Sequence, residues 1–388
     1  MNQFGKKNRT IAFIKKLFSN NADTSAHQLK FKDSMKNLAS TIFTVLLLVG
    51  SQSCGKDMDE FIPTSTTTIV KSDTVWQEDL LKINDISTTV LSPLNIEKLM
   101  ADLATYPVTR EINAERGGII TTPDGATVEF SANSCVTKNN RPCTGNLTVE
   151  ILILRKKGEF LLNNVPTTSL GRQLISGGAV RIKVSQNGDE VKLARPFTAP
   201  YKVKFQSASP TSDPAMRLFE GTTQGRFKFD WVPISSVSGI SDVPFLRTWR
   251  DSIQGRSTAG FELFLDRFSW INCDKFSGDS TNLTNKFCVT LPDTFTNQNT
   301  SVFVVFKDIN SVISLVGDGK TKQFCVPSSY RGLPIGKIVN IISISTIKDR
   351  IYIGKKEVTI APNTTATAIR LETTATTKEG AKEIISNL

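Results

Sequence analysis

GGIITTPDGATVEF, residues 117–130, decides the fold class. Gly117-Gly118 leads into Ile119 to Thr122, Pro123-Asp124-Gly125 supplies turn-forming residues, and Ala126 to Phe130 resumes an extended run. Proline presets φ at the first turn position and glycine accepts the positive φ at which a side chain would clash, so the stretch predicts two short strands around a tight turn. The next apolar run, Leu147 to Leu154, carries Val149, Ile151 and Ile153 at every second position, as a strand with one buried face does. Val180-Arg181-Ile182-Lys183-Val184 alternates strictly and meets Asn187-Gly188 before Glu190 to Leu193. Asn-Gly between alternating segments is a strong hairpin signal, because both residues tolerate the positive φ of a type I′ turn.

Working outward toward the C-terminus, strand-like pieces occur at Arg226 to Val232 and Phe261 to Leu265, followed by the aromatic run Phe268-Ser269-Trp270-Ile271-Asn272-Cys273-Asp274. From Phe287 on, seven short strands are expected: Phe287 to Leu291, Val302 to Lys307, Val312 to Val316, Gln323 to Val326, Ile338 to Ser345, Ile351 to Lys355 and Val358 to Ile360. Their regular spacing predicts a β-sandwich. Val302 to Phe306 is apolar at every position, which marks a central strand covered on both faces. Ile369 to Glu372 alternates, and a weak helix is expected over Lys378 to Ile385. Toward the N-terminus, Ser92-Pro93 offers an N-cap and a first helical proline, and Ile96, Leu99, Met100 and Leu103 recur at helical spacing until Tyr106-Pro107. The expectation is a mainly β protein of two or three antiparallel β-sandwich modules. Its divisions are a helical lead-in (76–110), a β-domain (111–205), a β-rich middle region (206–283), a C-terminal β-sandwich (284–376) and a tail (377–388).

Residues 35–54 read MKNLASTIFTVLLLVGSQSC. Met35-Lys36 forms a short basic head, and Leu38 to Gly50 an apolar stretch of signal-peptide length, short of the ~20 residues a membrane span needs. Ser53 before Cys54 resembles the lipobox of bacterial lipoproteins, and Gly55 to Glu60 resembles the acidic export signal of Bacteroidota surface lipoproteins. That resemblance implies lipidation at Cys54, removal of residues 1–53 as precursor and signal peptide, and an outer-membrane, surface-exposed location tethered through the lipid. Met35 is then the expected true start. Asp57 to Thr74, with Pro63 and the Ser/Thr-rich stretch 64–68, cannot bury a core, so 54–75 is expected to be a flexible stalk.

Gly117-Gly118-Ile119-Ile120, Thr122 to Phe130 and the strand ending at Leu154 together resemble a ZU5-type β-domain. Ser131, where that family has proline, and the Cys135 to Cys143 insertion depart from its pattern. The resemblance implies a β-sandwich interaction module without catalysis and transfers no binding residue. The Trp270-Ile271-Asn272-Cys273-Asp274 run is similar to segments of Bacteroidota surface proteins.

The 388 residues carry 47 Lys/Arg, 36 Asp/Glu and one histidine, His27. The first 53 residues hold 8 of the bases, 2 of the acids and His27, which leaves 39 against 34, net +5, on a histidine-free remainder of 335. Such a chain has no Ser-His-Asp or Cys-His catalysis, no His-ligated metal and no basic footprint for nucleic acid. Gly317-Asp318-Gly319 and Asp57 to Glu60 lack a full calcium loop, so neither a metal nor a cofactor is expected.

Of the five other cysteines, Cys135 and Cys143 flank a loop-like stretch and are expected to form a disulfide. Cys288 and Cys325 share a Phe-Cys-Val context and are the weaker second pair, with Cys273 left buried beside Trp270. Asp230, Glu262, Asp266, Asp274 and Asp279 lie near aromatics, and no spacing selects two of them as an acid/base pair. The expected role is therefore non-catalytic binding or scaffolding of a protein or glycan partner at the envelope. The alternatives are a carboxylate-dependent hydrolase acting on a glycan and an accessory component of a secretion or motility machine. An aromatic cleft with two carboxyl groups ~5–9.5 Å apart would favour the hydrolase.

Overall fold

The computed structural model describes residues 73–78, 94–194, 201–207, 213–224, 228–235, 243–250, 257–278, 281–362 and 368–388. Cys54 with its signal, residues 54–72 of the expected stalk, Ser92-Pro93 and Asp279 lie outside them. The chain is mainly β. Its 117–130 hairpin forms as expected, with Gly118–Thr121 pairing Thr127–Phe130 across Gly125, whose φ is +82°. Asn187 and Gly188, at φ +52° and +89°, turn the chain between Arg172–Gln186 and Asp189–Glu190.

Two sheets form the first sandwich. One has the path Val108–Asn113, Asn146–Leu154, Arg172–Gln186, Trp270–Phe276, Arg217–Gln224, Lys228–Pro233. The other runs Phe245–Arg250, Ser257–Leu265, Tyr201–Gln206, Thr127–Phe130, Gly118–Thr121. Alternation sends Val149, Ile151, Val180, Ile182 and Val184 of the first sheet against Val128, Phe130, Val203, Phe205, Phe261 and Leu263 of the second. Each such buried side chain contributes roughly 1.5–3 kcal/mol. The separation of 111–205 from 206–283 does not hold. Strands from 201–276 pair directly with those from 108–186 in both sheets, Trp270–Phe276 with Arg172–Gln186 and Tyr201–Gln206 with Thr127–Phe130, so the middle region completes the first sandwich.

The C-terminal sheet runs Ile369–Arg370, Cys288–Thr290, Gln323–Cys325, Val312–Asp318, Thr300–Phe306, Ile338–Ile347, Arg350–Thr359, Thr374–Thr376. Val312–Asp318 joins its halves, pairing Val302–Val305 through its first residues and Gln323–Cys325 through its last. Val302, Val304, Phe306, Val339 and Ile341 pack with Phe287, Val289, Phe324 and Val326 in a core of their own. Two expected strands, Ile351 to Lys355 and Val358 to Ile360, are one, because Arg350–Thr359 pairs Ile338–Ile347 without interruption.

A further core joins the two bodies. Leu152, Leu154, Leu174, Ala179, Phe219 and Trp231, on the outer face of the first sheet, meet Phe303, Val305, Ile342 and Ile344 of the C-terminal sheet. This explains why Val302 to Phe306 is apolar at both parities. Helices α1 (Asn95–Leu103), α2 (Lys157–Leu162) and α3 (Lys378–Ser386) complete this layer. α1 starts at Asn95, beyond Ser92-Pro93, where Glu97 Oε2 accepts the Leu94 N–H at 2.7 Å. α3 is a packed element with Thr377 as its N-cap and Ala381 and Ile385 buried, not a loose tail.

The last residues of the expected stalk are held in place. Thr296 Oγ1 donates to Asp73 O at 2.5 Å and Asn299 Nδ2 to the same oxygen at 3.1 Å. Asn297 brackets Gln77, accepting its N–H at 3.1 Å and donating to its carbonyl at 2.8 Å. The Trp76 ring rests on Phe324 at 5.2 Å between centroids.

Candidate functional site

A cleft of about 370 Å³ opens between the first sandwich and the C-terminal sheet. Its floor is built by three strands of the first sheet. In the hairpin of Arg217–Gln224 with Lys228–Pro233, Gly221 pairs Trp231 and Thr223 pairs Phe229, which places Phe229 and Trp231 two apart on one face. Trp270 joins them from the neighbouring strand, and the three rings meet edge to face at 5.0, 6.3 and 6.3 Å. Gly221 makes this cluster possible, since a Cβ there would stand 2.6 Å from Phe229 Cζ and 2.7 Å from Trp270 Cβ. Trp231 lies buried behind and donates Nε1–H to Pro166 O at 2.9 Å, while Phe229 and Trp270 line the cleft.

The opposite wall is the C-terminal sheet, from Thr300 to Phe303 and from Ser314 to Gly317. Ser314 Oγ is buried there without a hydrogen-bond partner. Thr105, Asn163, Asn164 and the buried Asn297 are also among its lining residues. Arg181 is the one charged lining residue among those described. It sits directly across from Trp270 in the strand pairing, with its guanidinium carbon 5.1 Å from the indole centroid. Burial lowers its pKa and Glu150 opposes the shift. From an ordinary value above 12 the group stays charged at neutral pH.

The expected acid/base candidates do not converge on this cleft. Glu262 lies in the second sheet, with Arg247 Nε at 2.5 Å and Lys202 and Lys204 nearby, and hydrogen bonding and charge from these bases hold its carboxyl below the usual range against the effect of burial. Asp266 pairs with Arg267 at 2.7 Å, and Asp230 accepts the Leu170 N–H at 3.0 Å. Asp274 is fully buried beside Cys273, where Asn272 Nδ2 donates to its Oδ2 at 2.7 Å, and burial raises its pKa well above the ordinary value. Asp318 caps its own turn, accepting the Lys320 N–H at 3.0 Å.

Cys288 and Cys325 face each other on paired strands, Cα atoms 4.1 Å apart, and are disulfide-bonded. The bond expected between Cys135 and Cys143 is absent, and both are buried thiols. Backbone hydrogen bonds close that loop instead: Cys143 N–H to Cys135 O at 3.1 Å and Thr137 N–H to Arg141 O at 2.8 Å. Both thiols fill the first core, and burial pushes Cys135 up to about 11. Cys273 is wholly buried, and burial raises its thiol well above the ordinary value, which disfavours the thiolate.

Sequence reasoning identified the Trp270 run but missed Arg181 and Phe229 as site residues. Two aromatics two apart in Lys228–Pro233 were the available signal. Comparison with protein-family models, with curated proteins and with solved structures finds no match for this chain.

Proposed function

We propose that the chain is a non-catalytic binding protein, lipid-anchored through Cys54 at the outer membrane or cell surface, and that the cleft between its two β bodies takes a glycan. The observation that carries this reading is a cleft lined by Phe229 and Trp270 together with amide and hydroxyl side chains, with no carboxylate among its described lining residues. Sugar rings offer C–H faces to aromatic side chains and hydroxyls to amides, and a few placed polar groups on a mostly apolar pocket give orientation. Hydrolysis of a glycosidic bond uses two carboxyl groups flanking it, and this cleft supplies neither. The ZU5-like stretch at 117–154 supports an interaction module in the same sense. The apolar run ahead of Cys54 supports export and tethering, and among the described residues no helix is long and apolar enough to cross a membrane.

Two measurements test this. Mass spectrometry of the mature N-terminus with protease accessibility on intact cells should find acylated Cys54 on an exposed protein, and an unmodified or cytoplasmic product refutes the anchoring. An oligosaccharide panel followed by tryptophan fluorescence should find at least one saturable ligand whose binding Trp270→Ala abolishes. Binding that survives this change places the ligand elsewhere.

A further inference from the structure

The glycan-binding reading leaves one group in the cleft unexplained. Arg181 is half-buried and stacked on Trp270, and it makes no hydrogen bond or ion pair among the described residues. Other half-buried arginines have carboxylate partners, Arg155 with Asp124 and Arg267 with Glu220, whereas Arg172, on the same strand as Arg181, rests on the Phe276 ring in the same way. Glu150, the carboxylate that acts on Arg181 electrostatically, lies beyond ion-pair distance. Partial burial of a charge is costly unless something pairs with it. The guanidinium is planar, with donors arranged in a fork that fits two oxygens of an anion, and its stacking on the indole holds the fork in place. On the opposite wall Ser314 Oγ is a second buried polar group without a partner. No described lining residue carries a negative charge to repel an anion.

We infer that the cleft selects an acidic saccharide, with the uronate or sulfate group held by Arg181 and the sugar ring lying along Trp270 and Phe229. This rests on the glycan-binding reading and adds the charge of the ligand to it. Because a charge-assisted fork is made in a partly desolvated site, the acidic sugar should bind about tenfold or more tightly than a neutral counterpart.

The test uses the full-chain protein and isothermal titration with matched probes: trigalacturonate against its methyl ester, and a sulfated galactotetraose against the unsulfated sugar. The expected result is a preference of about tenfold for one acidic member of a pair, weakening as sodium chloride is raised. Within the Arg181→Gln protein the acidic member should bind no more tightly than its neutral partner, and Arg181→Lys should keep part of the preference. Preference in the uronate pair alone identifies a carboxylate, and in the sulfate pair alone a sulfate. Should Arg181→Gln fail to fold, the salt dependence of the wild-type protein decides, since a neutral-type response from the acidic sugar overturns the inference. Equal binding of acidic and neutral members, or a preference that persists in Arg181→Gln, overturns the acidic selectivity and leaves glycan binding standing. Absence of binding across all four probes and the wider oligosaccharide panel overturns both.

Discussion

Replacing Asp274 with asparagine should change how stability depends on pH. Asp274 is 0 % exposed, its Oδ2 accepts one hydrogen bond from Asn272, and its Oδ1 has no partner. Burial raises its folded pKa well above the ordinary value, so the folded protein retains a proton that the unfolded chain releases from about pH 3.9 upward. Below that pH both states are protonated and the group's contribution is fully present. Above it stability is lost as pH rises, by about 1.4 kcal/mol per unit, until the folded pKa is reached. Asparagine cannot ionise, and its amide N–H takes the place of the carboxylic O–H that protonated Asp274 carries at Oδ1. Asp274→Asn should therefore stand near the wild type at pH 4 and gain on it with every unit above that. Urea midpoints and slopes at pH 4.5, 5.5 and 6.5, taken as the difference between the two proteins, isolate this residue from all other titrations. A difference that does not move with pH would show that Asp274 ionises normally in the fold and refute the reasoning.

Other perturbations follow from the same packing. Gly221→Ala puts a methyl group within 2.7 Å of Phe229 and Trp270, and should cost about 1–3 kcal/mol and alter the near-UV dichroism of the tryptophans; an unchanged spectrum with wild-type stability would contradict the cluster. Cys288→Ser with Cys325→Ser removes a crosslink across 37 residues, worth about 4 kcal/mol in the loop-entropy limit, measurable as a lower urea midpoint; equal midpoints under oxidising conditions would count against the bond. Trp76→Ala strips the ring from Phe324 and should cost about 2 kcal/mol while exposing residues 73–78 to protease, whereas cleavage at the wild-type rate would mean that the segment is held by its backbone contacts alone.

Local chemistry was readable where one short segment specified its own shape. The hairpins at Gly125 and at Asn187-Gly188 needed only turn residues flanked by alternating side chains, and Val302 to Phe306 announced two buried faces by composition. Arg172–Gln186 was only partly visible, because Gly177-Gly178 looks like a break. The strand runs through it with a bulge opposite Cys273 and Asp274, where the Phe205 and Phe261 rings of the facing sheet press on the glycines. Arg217–Gln224 gave no signal, since Gly221 interrupts its pattern and its pairing partners stand on both sides. The joining of 108–186 with 201–276 is a long-range pairing that no window of sequence contains. The cleft is a harder case still: Arg181, Phe229, Trp270, Asn297 and Ser314 come from separate strands and turns, each ordinary by itself. In the Cys135 to Cys143 loop, the spacing that fitted a disulfide fitted a hydrogen-bonded turn equally well.

The clasp on Asp73 to Gln77 has a mechanical side. Tension applied to the chain ahead of Asp73 enters the fold at Thr296–Asn299, and the hydrogen bonds there must shear before the C-terminal sheet itself is loaded. Asn297 grips Gln77 with both ends of its amide and also lines the cleft. One asparagine thus ties the 73–77 segment to the cleft wall, so a change at Asn297 is felt in both places at once.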